Sequence, residues 1–127
     1  MNLNEFGARG LKTQKAVDLA AAPGQVIYEP DRKATKIIVE LIKSFPCLRK
    51  KLGSNWAPYE FEPHLFRNMM DCWSHGEWMC GMFVLNVWNP GYAKAQNWSF
   101  DIFEFLGTAD PGNRKALLDW CGNPIWP

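Results

Sequence analysis

Eleven consecutive residues, Trp78 to Trp88, carry no charge and one polar side chain, Asn86. A helix that is apolar on every side has no face to offer to water and must be enclosed by other elements. The alternative enclosure is a bilayer, which needs about 20 apolar residues, so the run predicts a buried helix and not a membrane span. Its ends are marked. Ser74-His75-Gly76-Glu77 has the spacing of a capping box, in which the serine hydroxyl and the glutamate carboxylate satisfy free backbone amides reciprocally. Asn89-Pro90-Gly91 stops the pattern. A central helix is therefore expected over about 76–88.

The rest of the chain supplies candidates to surround it. From Arg32 to Phe45, Ile37, Ile38, Leu41, Ile42 and Phe45 recur at helical spacing, with Lys33, Lys36, Glu40 and Lys43 opposite and Asp31 placed to cap the start. Pro46 breaks that helix, a further turn carries Arg49, Lys50, Lys51 and Leu52, and Gly53 ends it. Pro63 opens an apolar helix through Trp73. Tyr92 to Asn97 reads as a polar loop, Ser99 as the cap of a short helix over Phe100 to Leu106, and Asp110-Pro111 as the start of a last helix closed by Gly122 and Pro124. Ile125-Trp126-Pro127 is expected to fold back, apolar side down. In the first thirty residues, Lys12 to Ala22 has helix-forming composition ended by Pro23-Gly24, and 25–28 reads as a short extended segment. The expectation is an all-α bundle of five or six short helices around the central one, in one domain spanning 1–127.

Composition agrees with a packed core: seven Trp, eight Phe and three Tyr in 127 residues exclude a disordered chain. The net charge of +1 conceals an asymmetry. Residues 1–55 hold ten Lys and Arg against five Asp and Glu, a balance of +5, whereas 56–127 hold four against eight, a balance of −4. All seven Trp follow residue 55. The core is thus expected from 56–127, with a basic subregion, 1–55, laid on it.

Four cysteines, Cys47, Cys72, Cys80 and Cys121, form no CxxC pair and no disulfide framework. Cys72, Cys80 and Cys121 fall in apolar helical patterns, where free Cys acts as a small hydrophobe. With no secretory signal visible, a reduced, cytoplasmic protein is expected.

Four kinds of chemistry suit the residues present. His64, Cys72, His75 and Cys80 offer metal ligands, but the spacing C-x2-H-x4-C matches no structural zinc pattern, and neither metal nor cofactor is expected. Asp71 with His75, and Asp101 with Glu104, offer general acid or base pairs, with Cys72 or Cys80 as nucleophile. No G-x-S-x-G, HExxH, phosphate-loop or dinucleotide fingerprint accompanies them, so an enzyme is the less favoured class. Arg32, Lys33, Lys36, Lys43, Arg49, Lys50 and Lys51 suit phosphate contacts, extended by Arg9, Lys12 and Lys15. A helix-turn-helix around Thr108 to Asp110 would offer Asn113, Arg114 and Lys115 to bases, although the pI near 7.7 is low for a dedicated DNA-binding domain.

Trp56, Tyr59 and Trp126 lie in Pro- and Gly-rich stretches and are the candidates for exposed anchors, since Trp, Tyr and Arg are enriched at interface centres. In size and general character the chain resembles small accessory proteins of phages and mobile elements that inhibit host machinery such as nucleic-acid-guided defence complexes; no residue motif carries that likeness. The leading expectation is a protein-binding module acting by occlusion, its basic helices meeting an acidic patch on a protein partner. A nucleic-acid-binding regulator, a small Cys/His-dependent enzyme and a homodimer are the alternatives.

Overall fold

The computed structural model describes residues 15–17, 27–29 and 32–127, with side chains for 32–127. Two short strands, β1 (Lys15–Val17) and β2 (Ile27–Glu29), pair antiparallel with Ala16 opposite Tyr28. Seven α-helices follow among the described residues: α1 (Arg32–Ser44), α2 (Pro46–Leu52), α3 (Pro63–Met69), α4 (His75–Trp88), α5 (Pro90–Ala95), α6 (Ile102–Thr108) and α7 (Pro111–Gly122). A 3-10 turn, Met70–Cys72, links α3 to α4. The fold is a compact all-α bundle.

Helix α4 is the enclosed element. Met79 to Leu85, Val87 and Trp88 are all buried, and α1, α2, α3, α5 and α6 pack on it. Its one internal polar side chain, the half-buried Asn86, is satisfied: Nδ2 donates to the carbonyls of Met82 and Trp98, each at 2.9 Å. Both halves of the Ser74/Glu77 capping box form. Asn89 serves twice, ending α4 and then accepting from Tyr92 N–H as the cap of α5. The stretch read as a polar loop after Asn89 is therefore a helix with Pro90 at its first position, where the missing N–H costs nothing.

Other boundaries moved for local reasons. Asp101, not Ser99, caps α6, its carboxylate accepting from Phe103 and Glu104 N–H. Pro111 opens α7 without a side-chain bond from Asp110. The helix expected over 12–22 is contradicted at Lys15–Val17, where β-branched Val17 pairs in register with Ile27; strand-forming residues with a partner override modest helix propensity. The remainder of that stretch, and the Asp31 cap, lie outside the described residues. The extended segment expected near 25–28 is met by β2 at Ile27 and Tyr28.

The expected division of labour between the two halves is also corrected. Ala34, Ile38, Leu41, Ile42, Phe45 and Leu48 belong to the same buried cluster as the residues of α4. Phe45, in the extended link between α1 and α2, meets Phe83 edge-on at 5.9 Å between centroids. The described helices of the basic subregion, residues 32–52, are thus an integral wall of the core. Its cations ride the outer face of helices whose inner faces are among the most buried surfaces in the molecule.

Candidate protein-binding groove

Helices α1, α2 and α7 meet around an open cavity of about 510 Å³. Its floor is apolar: Ile37 and Leu41 from α1, Pro46 from α2, Ala116 and Trp120 from α7, and Ile125 beyond it. Glu40, Arg49, Lys115 and Asp119 form the rim. Ile37 belongs to the apolar set read from α1, yet it is only half-buried. It faces the groove while its neighbour Ile38 is sealed inside.

The groove is held open at one end by a close junction between α2 and α7. A Cβ at Gly112 would come within 3.1 Å of Pro46 Cγ, so glycine lets the start of α7 approach that ring. Beside it the buried Asn113 accepts from Cys47 N–H through Oδ1 at 3.3 Å. At the other end Trp120 fixes the chain terminus. Its indole Nε1 donates to Ile125 O at 3.3 Å, and its ring takes Trp126 edge-on at 4.8 Å and Phe83 at 5.4 Å. The tail folds back as expected, but Ile125 and Trp126 remain more than half exposed. Ile125 lines the groove and leaves it open.

The charges of the rim are not balanced alike. Lys115 and Asp119 pair at 2.8 Å, one turn apart. Arg49 donates to the Lys43 carbonyl at 2.9 Å and meets no carboxylate among the described residues. Around it, residues 32–52 hold seven cations against one carboxylate, Glu40.

No protein-family model, curated protein or solved structure matches this chain. The site therefore rests on its own geometry. Several of the seven cations of α1 and α2 already have work. Arg32 lies over the Tyr59 ring, 4.0 Å from its centroid, Lys43 donates to Ser54 O at 3.1 Å, and Lys51 pairs with Glu77 at 3.3 Å. Burial opposes ionisation of Glu77, but the Ser74 amide and Lys51 outweigh it and hold the carboxyl below its ordinary value. Lys33, Lys36 and Lys50 make no ion pair or hydrogen bond with a described residue and lie exposed. Of the three aromatic anchors, Tyr59 is exposed, Trp126 half-exposed beside the groove, and Trp56 half-buried against Phe66.

The metal and catalytic candidates are scattered. His64 meets Tyr92 and Trp98 edge-on. Cys72 is exposed with its thiol toward Met69 O, and His75 Nε2 sits 2.9 Å from Glu104 while its ring stacks on Trp78. Cys80 is sealed in α4. Ligation by Cys72 and His75 from one helix face would require a continuous helix, and the extended backbone at Trp73 separates them. Among the described residues, no three His, Cys, Asp or Glu gather to hold a metal ion. Asp71 pairs with Arg67 at 2.7 Å and not with His75. Cys72 and Cys121, read as small hydrophobes, are instead exposed.

In α7, Asn113 is bonded to Cys47, Arg114 donates to Ala109 O, and Lys115 pairs with Asp119, so none of the three expected base readers is free. No helix of the described residues is long and apolar enough to cross a membrane. The residue that sequence reading missed most clearly is Phe103, 83% exposed on α6 beside Ile102 and Leu106. The signal was present in Asp101, whose role as cap sets the helix phase and turns Phe105 alone inward.

Proposed function

We propose that the protein is a protein-binding module whose groove between α1, α2 and α7 takes a short amphipathic segment of a partner protein. Apolar side chains of that segment seat on Ile37, Leu41, Ala116 and Trp120, and an acidic side chain meets Arg49. The observation that carries this reading is the cavity of about 510 Å³ with an apolar floor and an arginine at its rim that lacks a carboxylate. Its size falls within the roughly 300–1,000 Å³ of pockets that hold compact ligands. Its shape between three helices suits a helix laid into a groove, read through anchors three and four residues apart. The excess of cations on α1 and α2 selects an acidic segment and steers its approach. A segment held in this way is withheld from its other partners, which is inhibition by occlusion.

The test is selection of peptides from an unbiased displayed library, followed by affinity measurement on the parent and on the Arg49→Glu and Ile37→Glu variants. The expected consensus pairs apolar residues at helical spacing with Asp or Glu, and each variant weakens binding at least tenfold while retaining its helical spectrum. Peptides that bind both variants as tightly as the parent would overturn the assignment.

A further inference from the structure

Cys47 and Cys80 are 33 positions apart in sequence, yet their sulfurs lie 3.6 Å apart. Cys47 is the second residue of α2 and half-buried; Cys80 is inside α4 with no exposed surface. Among the described residues no other two cysteines are brought together in this way. The Cys47 backbone is fixed by its bond to Asn113, so the sulfur is held against α4 by the same junction that shapes the end of the groove. A disulfide bond is about 2.05 Å long, so roughly 1.5 Å of approach separates the thiols from a covalent link.

The two thiols are not equivalent. The hydrogen bond with Cys80 lowers the Cys47 thiol below its ordinary value against the opposing effects of burial and of Glu77 and Asp110, and the Asn113 side chain assists. That same bond, together with burial, pushes Cys80 up. Glu77 is itself paired with Lys51, which tempers its repulsion. One sulfur is therefore accessible and the readier to ionise, and the other is enclosed and protonated.

We propose that Cys47 and Cys80 form an oxidisable dithiol site, with hydrogen peroxide as oxidant, Cys47 as the attacking sulfur and Cys80 as the resolving one. The Cys47 thiolate attacks a peroxide oxygen, the O–O bond breaks, and the departing hydroxide takes up a proton to become water, leaving Cys47 as a sulfenic acid. The Cys80 sulfur then attacks the Cys47 sulfur. The S–O bond breaks, the hydroxide leaves with the Cys80 proton as a second water, and an S–S bond joins α2 to α4. Two thiols are oxidised by one electron each and one peroxide is reduced. The order follows from exposure, since only Cys47 can be reached first and only Cys80 is near enough to finish. Thiolate character and access set which cysteines oxidise.

The experiment uses the full chain with Cys72→Ser and Cys121→Ser, which removes the two exposed thiols. One equivalent of peroxide is expected to remove both remaining thiols and to yield a single internal Cys47 to Cys80 link by peptide mapping, reversed by dithiothreitol. With Cys80→Ala added, Cys47 is expected to stop at a sulfenic acid trapped by dimedone, and its alkylation by iodoacetamide at neutral pH is expected to slow at least threefold, because the hydrogen bond that lowers it is gone. Retention of both thiols under peroxide that oxidises free cysteine, or a link formed only between molecules, would overturn the proposal. An alkylation rate unchanged by Cys80→Ala would overturn the assignment of Cys47 as the activated sulfur. The mapping on the chain with Cys72→Ser and Cys121→Ser decides alone if that variant does not fold.

Discussion

Gly81 sits in the middle of α4, where helix propensity alone favours alanine by about 1 kcal/mol. The structure reverses that preference through one neighbour. A Cβ at Gly81 would lie 2.6 Å from Met70 Sδ and 2.7 Å from its Cε, and Met70 is fully buried in the turn that delivers α4. Overpacking of a core costs about 1–3 kcal/mol, so Gly81→Ala is expected to destabilise the parent by about 1 kcal/mol net. Met70→Ala leaves a cavity at a cost of about 2–5 kcal/mol, but it removes the atoms that the new methyl would strike. In that background Gly81→Ala is expected to stabilise by about 1 kcal/mol, a coupling of about 2 kcal/mol, in the range found for residues in contact. Urea unfolding followed by tryptophan fluorescence, with all four proteins in one double-mutant cycle, measures it. A Gly81→Ala change of the same sign and size in both backgrounds would show that Met70 does not press on this backbone and that the packing of the turn against α4 is misread.

Three further perturbations test the frame that positions the groove and the thiols. Asn86→Ala is expected to cost about 1–3 kcal/mol in denaturant midpoint measurements, because it leaves the Trp98 carbonyl without its donor. Asp101→Ala is expected to cost about 1 kcal/mol and to fray α6, seen as faster amide exchange at Phe103 and Glu104, the two donors it now serves. Glu77 is held below the ordinary carboxylate value by the Ser74 amide and Lys51, which outweigh burial, so its stabilisation is present above about pH 4.3 and is lost as pH falls through the depressed value. The stability gap between the parent and Glu77→Gln is therefore expected to shrink on acidification, and a gap independent of pH would contradict that pairing.

What the sequence revealed and what it withheld follow from the range of the forces involved. The capping box at Ser74, the break at Pro46, the opening at Pro63 and the apolar run to Trp88 are local signals, and the helices they predict are present, although the one from Pro63 ends at Met69 and passes into a 3-10 turn short of the expected Trp73. Asn89 was legible as a stop but not as the cap of a new helix, because a cap serves both directions and only the fold shows which donors it meets. The cations of α1 were visible as a face; that their inner neighbours Ile38 and Ile42 lie at zero exposure depends on contacts with α4 across forty residues of chain. The groove was not legible at all. Ile37, Pro46 and Trp120 carry no shared motif, and their meeting depends on the absence of a Cβ at Gly112. Cys47 and Cys80 likewise have no spacing signature, since two helices from opposite sides of the Gly53 turn bring them together.

The claim on which the functional reading stands is that an acidic amphipathic segment occupies the groove of α1, α2 and α7. Amide and indole correlation spectra of the full chain, recorded during titration with a peptide from the displayed-library selection, test it most directly. The reading predicts shifts at the Ile37, Leu41 and Ala116 amides and at the Trp120 indole, whose N–H is bonded to Ile125, with the buried Trp98 unchanged. Shifts centred on Phe103 and Leu106 of α6, with the Trp120 indole unmoved, would contradict it.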